Sequence, residues 1–126
     1  MYNRMAPTIL TEIKSLKDFA EILESNPGTV IIKFGAEWCG PCKKIEAQVH
    51  ASMNLMPDNV QCYIIDVDDC FELYAYLKSK KMVNGIPAIL AYYKDNKSYI
   101  PSDSVLGANP EQVDLFFKRW FDIARK

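Results

Sequence analysis

A pair of cysteines stands between an apolar run and a helical pattern. Cys39 and Cys42 are separated by two residues, and residues 30–32 with Phe34 form the apolar run before them. Such a run is typical of a buried strand. The apolar residues after the pair recur every four positions, as on one face of a helix: Ile45, Val49 and Met53. The sequence therefore predicts a strand, a short turn that carries two thiols, and a helix that begins at the turn.

This arrangement favours redox chemistry at Cys39. A sulfur at a helix N-terminus lies near unpaired amides and the positive end of the helix dipole, which stabilise an anion. Pro41 suits the first helical turn, where its missing N–H costs nothing. A stabilised thiolate is both an attacking group and a good leaving group in disulfide exchange. We expect Cys39 to be the exposed, attacking thiol. Cys42 lies one turn into the helix with its side chain directed back, so we expect it to be the buried, resolving thiol.

Two other interpretations of the pair are a buried structural pair and half of a zinc site. A structural zinc site needs about four ligands, and the only histidine is His50, for which we expect a solvated position on the helix. Cys62 and Cys70 do not form a second Cys-x-x-Cys. We therefore expect no metal. Free cysteines are usually buried as small apolar residues, although a regulatory disulfide between Cys62 and Cys70 stays open.

Four motifs resemble those of the thioredoxin family. Trp-Cys-Gly-Pro-Cys-Lys at residues 38–43 resembles the family's active-site signature. Gly-Ile-Pro at residues 85–87 matches a second family element and is followed by an apolar run. Residues 65–70 resemble the strand end and helix entry of animal thioredoxins, and residues 105–108 are similar to the Gly-Ala before the last helix. The resemblance covers roughly residues 7–125, almost the whole chain.

The resemblance implies a site around the two thiols. Pro87 would be cis and lie against the redox pair, and together with Gly40 and Pro41 it would tune the redox chemistry. The backbone of Ile86 would pair with an extended segment of a client protein, as in strand addition. The resemblance implies a flat, mostly apolar docking surface that includes Trp38, Gly85, Ile86, Gly107 and Ala108.

The chain departs from the family pattern in four places. Lys33 stands where a buried Asp is usual, Ala47 replaces a proline in the helix, and Ala88 follows the cis-proline in place of Thr. Residues 94–106 form a longer segment than usual, and we expect residues 101–104 to be an exposed loop or hairpin tip that narrows partner choice.

Lys33 bears most directly on the chemistry. Burial is expected to lower the pKa of its amine, because an unpaired charge is costly in a low dielectric. A charged Lys33 would stabilise the thiolates of the redox pair, whereas a neutral Lys33 would serve as a base. A third alternative is a side chain that reaches solvent and has no role.

Local patterns predict an α/β chain. We expect strands over residues 8–10, 29–34 and 60–67, and an antiparallel pair over residues 88–93 and 98–100. The predicted helices begin after Ser15, at Cys39, after Asp68 or Asp69, and after Asn109. The sequence thus predicts one domain over residues 1–126, with a central mixed sheet and helices on both faces, which is the thioredoxin fold implied by the resemblance.

Composition excludes several classes of protein. The net charge of −1 gives no basic face for phosphates, so nucleic-acid binding is not expected. Residues 1–16 carry no continuous apolar segment, so we expect neither a signal peptide nor a membrane span. Nothing in the sequence cradles a phosphate or a ring, and no bound cofactor is expected. Four cysteines in such a chain are typical of a cytosolic protein.

The sequence therefore predicts a protein that reduces disulfides in client proteins. The expected partners are these clients and a thioredoxin-reductase-like flavoprotein that uses NADPH, and a monomer is expected. A disulfide isomerase or oxidant of the same fold is less compatible with the Gly-Pro between the cysteines. The alternative from another class is a thioredoxin-fold binding module or complex subunit with little redox activity.

Overall fold

The computed structural model describes residues 8–126, so residues 1–7 lie outside the description. It contains four strands and four helices among these residues. In chain order they are α1 (Leu16–Glu24), β1 (Thr29–Gly35), α2 (Gly40–Asn54), β2 (Val60–Asp66), α3 (Phe71–Ser79), β3 (Ala88–Tyr93), β4 (Asp103–Leu106) and α4 (Pro110–Ala124). No helix within residues 8–126 is long and apolar enough to cross a membrane.

The strands form one mixed sheet in the order β2-β1-β3-β4. β1 runs parallel to β2 and antiparallel to β3, and β4 runs antiparallel to β3 at the edge. Every residue of β1 is buried, as expected of a central strand with helices over both faces. The prediction of a mixed sheet with a parallel first half and an antiparallel edge is confirmed.

The two faces of the sheet carry separate apolar cores. Side chains alternate along β1, so that Ile32 and Phe34 face α1 and α3, whereas Ile31 faces α2 and α4. The second core is filled by one face of α2 and one face of α4: Ile45, Val49, Met53, Val113, Phe116, Phe117 and Trp120. Helix α2 is therefore held against the sheet along its length.

The predicted strand 98–100 is wrong. Residues 98–100 lie in a turn region, and β3 pairs with Asp103–Leu106. Side chains in the turn bind the backbone: Asn96 Nδ2 donates to the carbonyl of Ile100, and the N–H of Ser98 donates to Asn96 Oδ1. Such local bonds compete with a strand ladder. The predicted strand 8–10 is also wrong, since only Leu10 forms a single parallel bridge, to Tyr63.

The prediction that residues 101–104 form an exposed loop or hairpin tip is wrong for Asp103 and Ser104, which belong to β4, whereas Pro101 and Ser102 lie outside the strands. Asp103 Oδ2 accepts hydrogen bonds from Arg119 Nε and Nη2, and from Trp120 Nε1, at 2.9–3.0 Å. The segment therefore fastens β4 to α4. The exposed connection between β3 and β4 lies earlier, around residues 94–100.

Two predicted helix caps are confirmed and one is wrong. Ser15 Oγ accepts the N–H of Asp18, and Asn109 Oδ1 accepts two N–H groups at the start of α4. For α3 the cap position is Cys70, and no side chain caps the helix. The backbone carbonyl oxygen of Asp66 accepts hydrogen bonds from the N–H groups of Asp69 and Cys70 in this turn instead.

Candidate active site

Cys39 and Cys42 are joined by a disulfide, with their Cα atoms 5.3 Å apart. Cys39 is the N-cap of α2, and Pro41 lies in the first turn of that helix. The backbone N–H of Cys42 donates to Cys39 Sγ at 3.2 Å. The sulfur of Cys39 thus occupies the place of a capping oxygen, where an amide and the helix dipole favour negative charge. The structure holds the pair in its oxidised form.

The expected exposure of Cys39 is wrong in this oxidised structure. Cys39 is 4% exposed and Cys42 is 2% exposed. Both sulfurs are confined by the disulfide, and the groups that reach solvent are their neighbours Trp38, Gly40 and Pro41. Any molecule that reacts with the Cys39 sulfur must therefore approach over these neighbours.

The Ile86–Pro87 peptide is cis, as the resemblance implies. The carbonyl oxygen of Ile86 lies 3.8 Å from Cys39 Sγ, which brings the two motifs together. Pro87 is buried, whereas Gly85 and Ile86 are half-buried. The N–H of Gly107 donates to the carbonyl of Pro87 at 2.9 Å, so the loop after β4 also borders the site.

The docking residues expected from the sequence lie at the surface around the disulfide. Trp38 is 69% exposed, which confirms a surface position in place of a core aromatic. Its indole Nε1 donates to Asp68 Oδ2 at 2.7 Å, and this bond fixes one edge of the ring. Gly107 is exposed and Ala108 is half-buried. The expected binding role of these residues remains a prediction.

Lys33 is 6% exposed and lies on β1, on the same face as Ile31 and therefore toward α2. A β-carbon built on Gly35 would lie 2.9 Å from Lys33 Nζ and 3.5 Å from Cys42 Sγ. Burial lowers the pKa of Lys33, and the negative charges of Glu46 and Asp66 partly oppose that shift. The amine therefore ends in the buried space over Gly35 that the Cys42 sulfur also borders, and not in open solvent.

An open cleft of 1210 Å³ lies beside this sulfur and is lined by Lys33, Gly35 and Cys42. Glu46 and Asp66 also line the cleft, and neither residue was singled out from the sequence. Glu46 lies four residues after Cys42, and Asp66 ends the strand beside β1. The spacing of four residues on a helix, and the common carboxyl end of two parallel strands, are the signals that could have indicated these positions.

The remaining cysteines lie apart from each other. Cys62 belongs to the core under α2 and α4, and Cys70 belongs to the core on the opposite face of the sheet. The sheet between them excludes the regulatory disulfide that the sequence left open. Burial raises the pKa of the Cys62 thiol to about 12. His50 is exposed, as predicted. Within residues 8–126 no group of three or more His, Cys, Asp or Glu side chains is placed to hold a metal ion.

Known proteins share both the sequence pattern and the fold. The family model described as thioredoxin matches residues 10–118. Thioredoxin 3 of Plasmodium falciparum (isolate 3D7) is 24% identical over 118 residues, which is 93% of this chain and 62% of that protein. Thioredoxin of Equus caballus is 33% identical over 111 residues, which is 87% of this chain and 97% of that protein. A solved thioredoxin structure from Trypanosoma brucei brucei is 23% identical, has a TM-score of 0.72, and is matched over 100% of this chain and 99% of its own.

Proposed function

The chain belongs to the thioredoxin family, and on that premise we propose that it reduces disulfides in client proteins through a mixed disulfide at Cys39. The family and the paired cysteines support a thiol–disulfide oxidoreductase. The observation that carries the assignment of roles is the bond from the Cys42 N–H to Cys39 Sγ at the start of α2. It supports Cys39 as the sulfur that bears negative charge in the reduced protein, and hence as the nucleophile.

The reaction proceeds in two exchanges of sulfur partners. The Cys39 thiolate attacks one sulfur of the client disulfide, and the other client sulfur leaves with the bonding electron pair as a thiolate. Cys42, once deprotonated, then attacks Cys39 Sγ. The bond between Cys39 and Cys42 forms, the bond from Cys39 to the client breaks, and the second client sulfur leaves as a thiolate. The client gains two electrons and the protein is left as the disulfide seen here.

Docking uses the surface around the disulfide. Ile86 lies beside the Cys39 sulfur, and its backbone pairs with an extended client segment. Exposed Trp38 and the loop at Gly107 and Ala108 flank that segment and supply apolar contact area. The surface carries no large side chain at Gly40, Pro41 and Gly85, so that a client backbone can reach the sulfur.

The cycle requires a partner that returns electrons. We infer a thioredoxin-reductase-like flavoprotein, which reduces the disulfide between Cys39 and Cys42. The free thiols Cys62 and Cys70 are compatible with a reducing compartment, so we place the protein in the cytoplasm, as a monomer of one domain.

Reduction of insulin by dithiothreitol, followed as turbidity, tests this function. The wild-type protein is expected to accelerate the reaction, and Cys39→Ser is expected to abolish the acceleration. A wild-type rate equal to that of dithiothreitol alone would contradict the proposal. That result would favour the alternative, a thioredoxin-fold binding module with little redox activity.

A further inference from the structure

Lys33 is the only charged residue of the buried class within residues 8–126. It lies on the central strand β1, and its side chain runs over the backbone of Gly35 toward α2. The missing side chain at Gly35 leaves a space that Lys33 Nζ and Cys42 Sγ both border. A β-carbon at Gly35 would be too close to the amine, at 2.9 Å.

No hydrogen bond and no ion pair within 4 Å is made by Lys33 Nζ with any residue of the described part of the chain. Glu46 on α2 and Asp66 at the end of β2 act on it from a longer distance. Their negative charges raise the pKa of Lys33, and burial, the larger effect, lowers it. Because its pKa is lowered, a lysine in this position gives up its proton more readily than a lysine in water, and the neutral amine is more populated.

Cys42 needs a proton acceptor because only its thiolate attacks Cys39. Burial alone opposes ionisation of a thiol, since the pKa of equally buried Cys62 is raised to about 12. A positive charge beside the sulfur has the opposite effect. Once Lys33 Nζ has taken up a proton, it supplies such a charge across the space at Gly35.

We propose that Lys33 accepts the proton of Cys42 when the mixed disulfide is released, and that Glu46 and Asp66 help to hold this proton on Lys33. The proposal rests on the roles assigned to Cys39 and Cys42 above. The neutral amine of Lys33 takes the proton of the Cys42 thiol, and the resulting thiolate displaces the client sulfur from Cys39. The ammonium of Lys33 then passes its proton to water in the adjoining cleft.

Other titratable groups line the same cleft. Six carboxylates face it, from the segment before α1, the loop before Cys39, α2, and the end of β2 with the turn that follows: Glu12, Glu37, Glu46, Asp66, Asp68 and Asp69. Lys43 and Cys70 also line it. The excess of carboxylates favours a positive charge on Lys33 and gives the proton a polar route to solvent.

The aromatic disulfide dithiobis(nitrobenzoate) allows the two steps to be measured separately, because each step releases the coloured thiolate nitrothiobenzoate. Attack by Cys39 on the reagent releases one equivalent of nitrothiobenzoate, and attack by Cys42 on the mixed disulfide releases the second. We would follow both phases by stopped-flow absorbance with the reduced protein from acid to alkaline pH. Lys33→Met keeps the length of the side chain without its amine. Replacing a buried charge by an apolar residue of similar volume is commonly tolerated.

Lys33→Met is expected to slow the second phase near neutral pH by about tenfold or more, because the proton acceptor is lost, and to shift its pH profile to higher pH. Glu46→Gln is expected to slow the same phase less. Lys44→Met removes an exposed lysine of α2 that does not line the cleft, and it is expected to change neither the rate nor the profile of the second phase.

An unchanged rate and pH profile of the second phase in Lys33→Met would overturn the inference. A faster second phase in Glu46→Gln would overturn the role of Glu46. The first phase reports separately on the proposed function: its persistence in Cys39→Ser would contradict the nucleophile assignment, whatever Lys33 does.

Discussion

The backbone N–H of Gly107 donates a 2.9 Å hydrogen bond to the carbonyl oxygen of Pro87. Pro87 precedes β3 and Gly107 follows β4, so this bond continues the antiparallel pairing of the two strands beyond their ends. It also holds the loop after β4 next to the segment that contacts Cys39. Gly107 makes the bond with a φ of 98°, a conformation that residues with a β-carbon rarely adopt.

Gly107→Ala is predicted to destabilise the protein by about 1 kcal/mol or more, because alanine must adopt the positive φ. A β-carbon at Gly107 meets no atom within 4 Å, so the effect reports the backbone and not a clash. Gly85→Ala is the matched control, since that position is equally open and has no positive φ. Urea unfolding of both variants measures the difference. Equal stabilities would contradict a conformational requirement at Gly107.

Asp103→Ala is predicted to destabilise the protein by about 1–3 kcal/mol, because it leaves the buried Trp120 indole and the Arg119 guanidinium without their acceptor. Asp95→Ala, an exposed residue of the connection between β3 and β4, is expected to change stability by less than about 0.5 kcal/mol. Thermal or urea unfolding distinguishes them. If Asp103→Ala left the stability unchanged but altered the choice of clients, the result would favour the sequence-based interpretation of this segment as a partner-selecting loop.

Asp68→Ala is predicted to raise KM for a protein disulfide a few-fold, because the Trp38 indole loses the bond that fixes its edge. Reduction of a small aromatic disulfide, which needs little docking surface, should keep its rate. Asp69→Ala is the control, as the neighbouring exposed carboxylate makes no bond to the indole. A similar KM change in both variants would indicate a general effect of charge.

Cys62 is predicted to make folding less favourable at alkaline pH. Burial raises the pKa of its thiol from 9.0 to about 12, so the unfolded chain ionises first as the pH rises. Stability is therefore full below pH 9.0 and is lost between the two pKa values. Near pH 10 the loss amounts to about 1.4 kcal/mol.

Unfolding free energies of the wild-type protein and Cys62→Ala, compared near neutral pH and near pH 10, test this loss. The stability difference between the two proteins should shift by about 1.4 kcal/mol in favour of Cys62→Ala. A pH-independent difference would contradict it. Tyr92, whose pKa burial also raises, contributes equally to both proteins and cancels.

The pattern of neighbouring residues predicted the part of the site that lies within one continuous segment, around Cys39. The strand before Cys39 and the helix after it follow from apolar spacing, and the Ile86–Pro87 segment was placed by resemblance. Apolar content did not identify the strand that pairs with β3. In the segment predicted instead, residues 98–100, the side chains of Asn96 and Ser98 form hydrogen bonds with the backbone groups that a strand would use for pairing.

The neighbours of Lys33 needed tertiary structure. The resemblance placed Lys33 at the position of the family's buried Asp, but the approach of its amine to Cys42 depends on the space over Gly35. The contribution of Glu46 depends on the rotation of α2 about its axis, and that of Asp66 on the register of β2 against β1. The low exposure of Cys39 likewise depends on packing around the closed disulfide.

Trapping of clients as mixed disulfides tests the central assignment most directly. Cys42→Ser leaves Cys39 able to attack and removes the thiol that releases the client, so this variant should accumulate clients bound through Cys39. Cys39→Ser should accumulate none. Mass spectrometry of the cross-linked peptides identifies the bonded cysteine. Clients found on Cys42 in the Cys39→Ser protein, with none on Cys39 in the Cys42→Ser protein, would contradict the assignment of the two thiols.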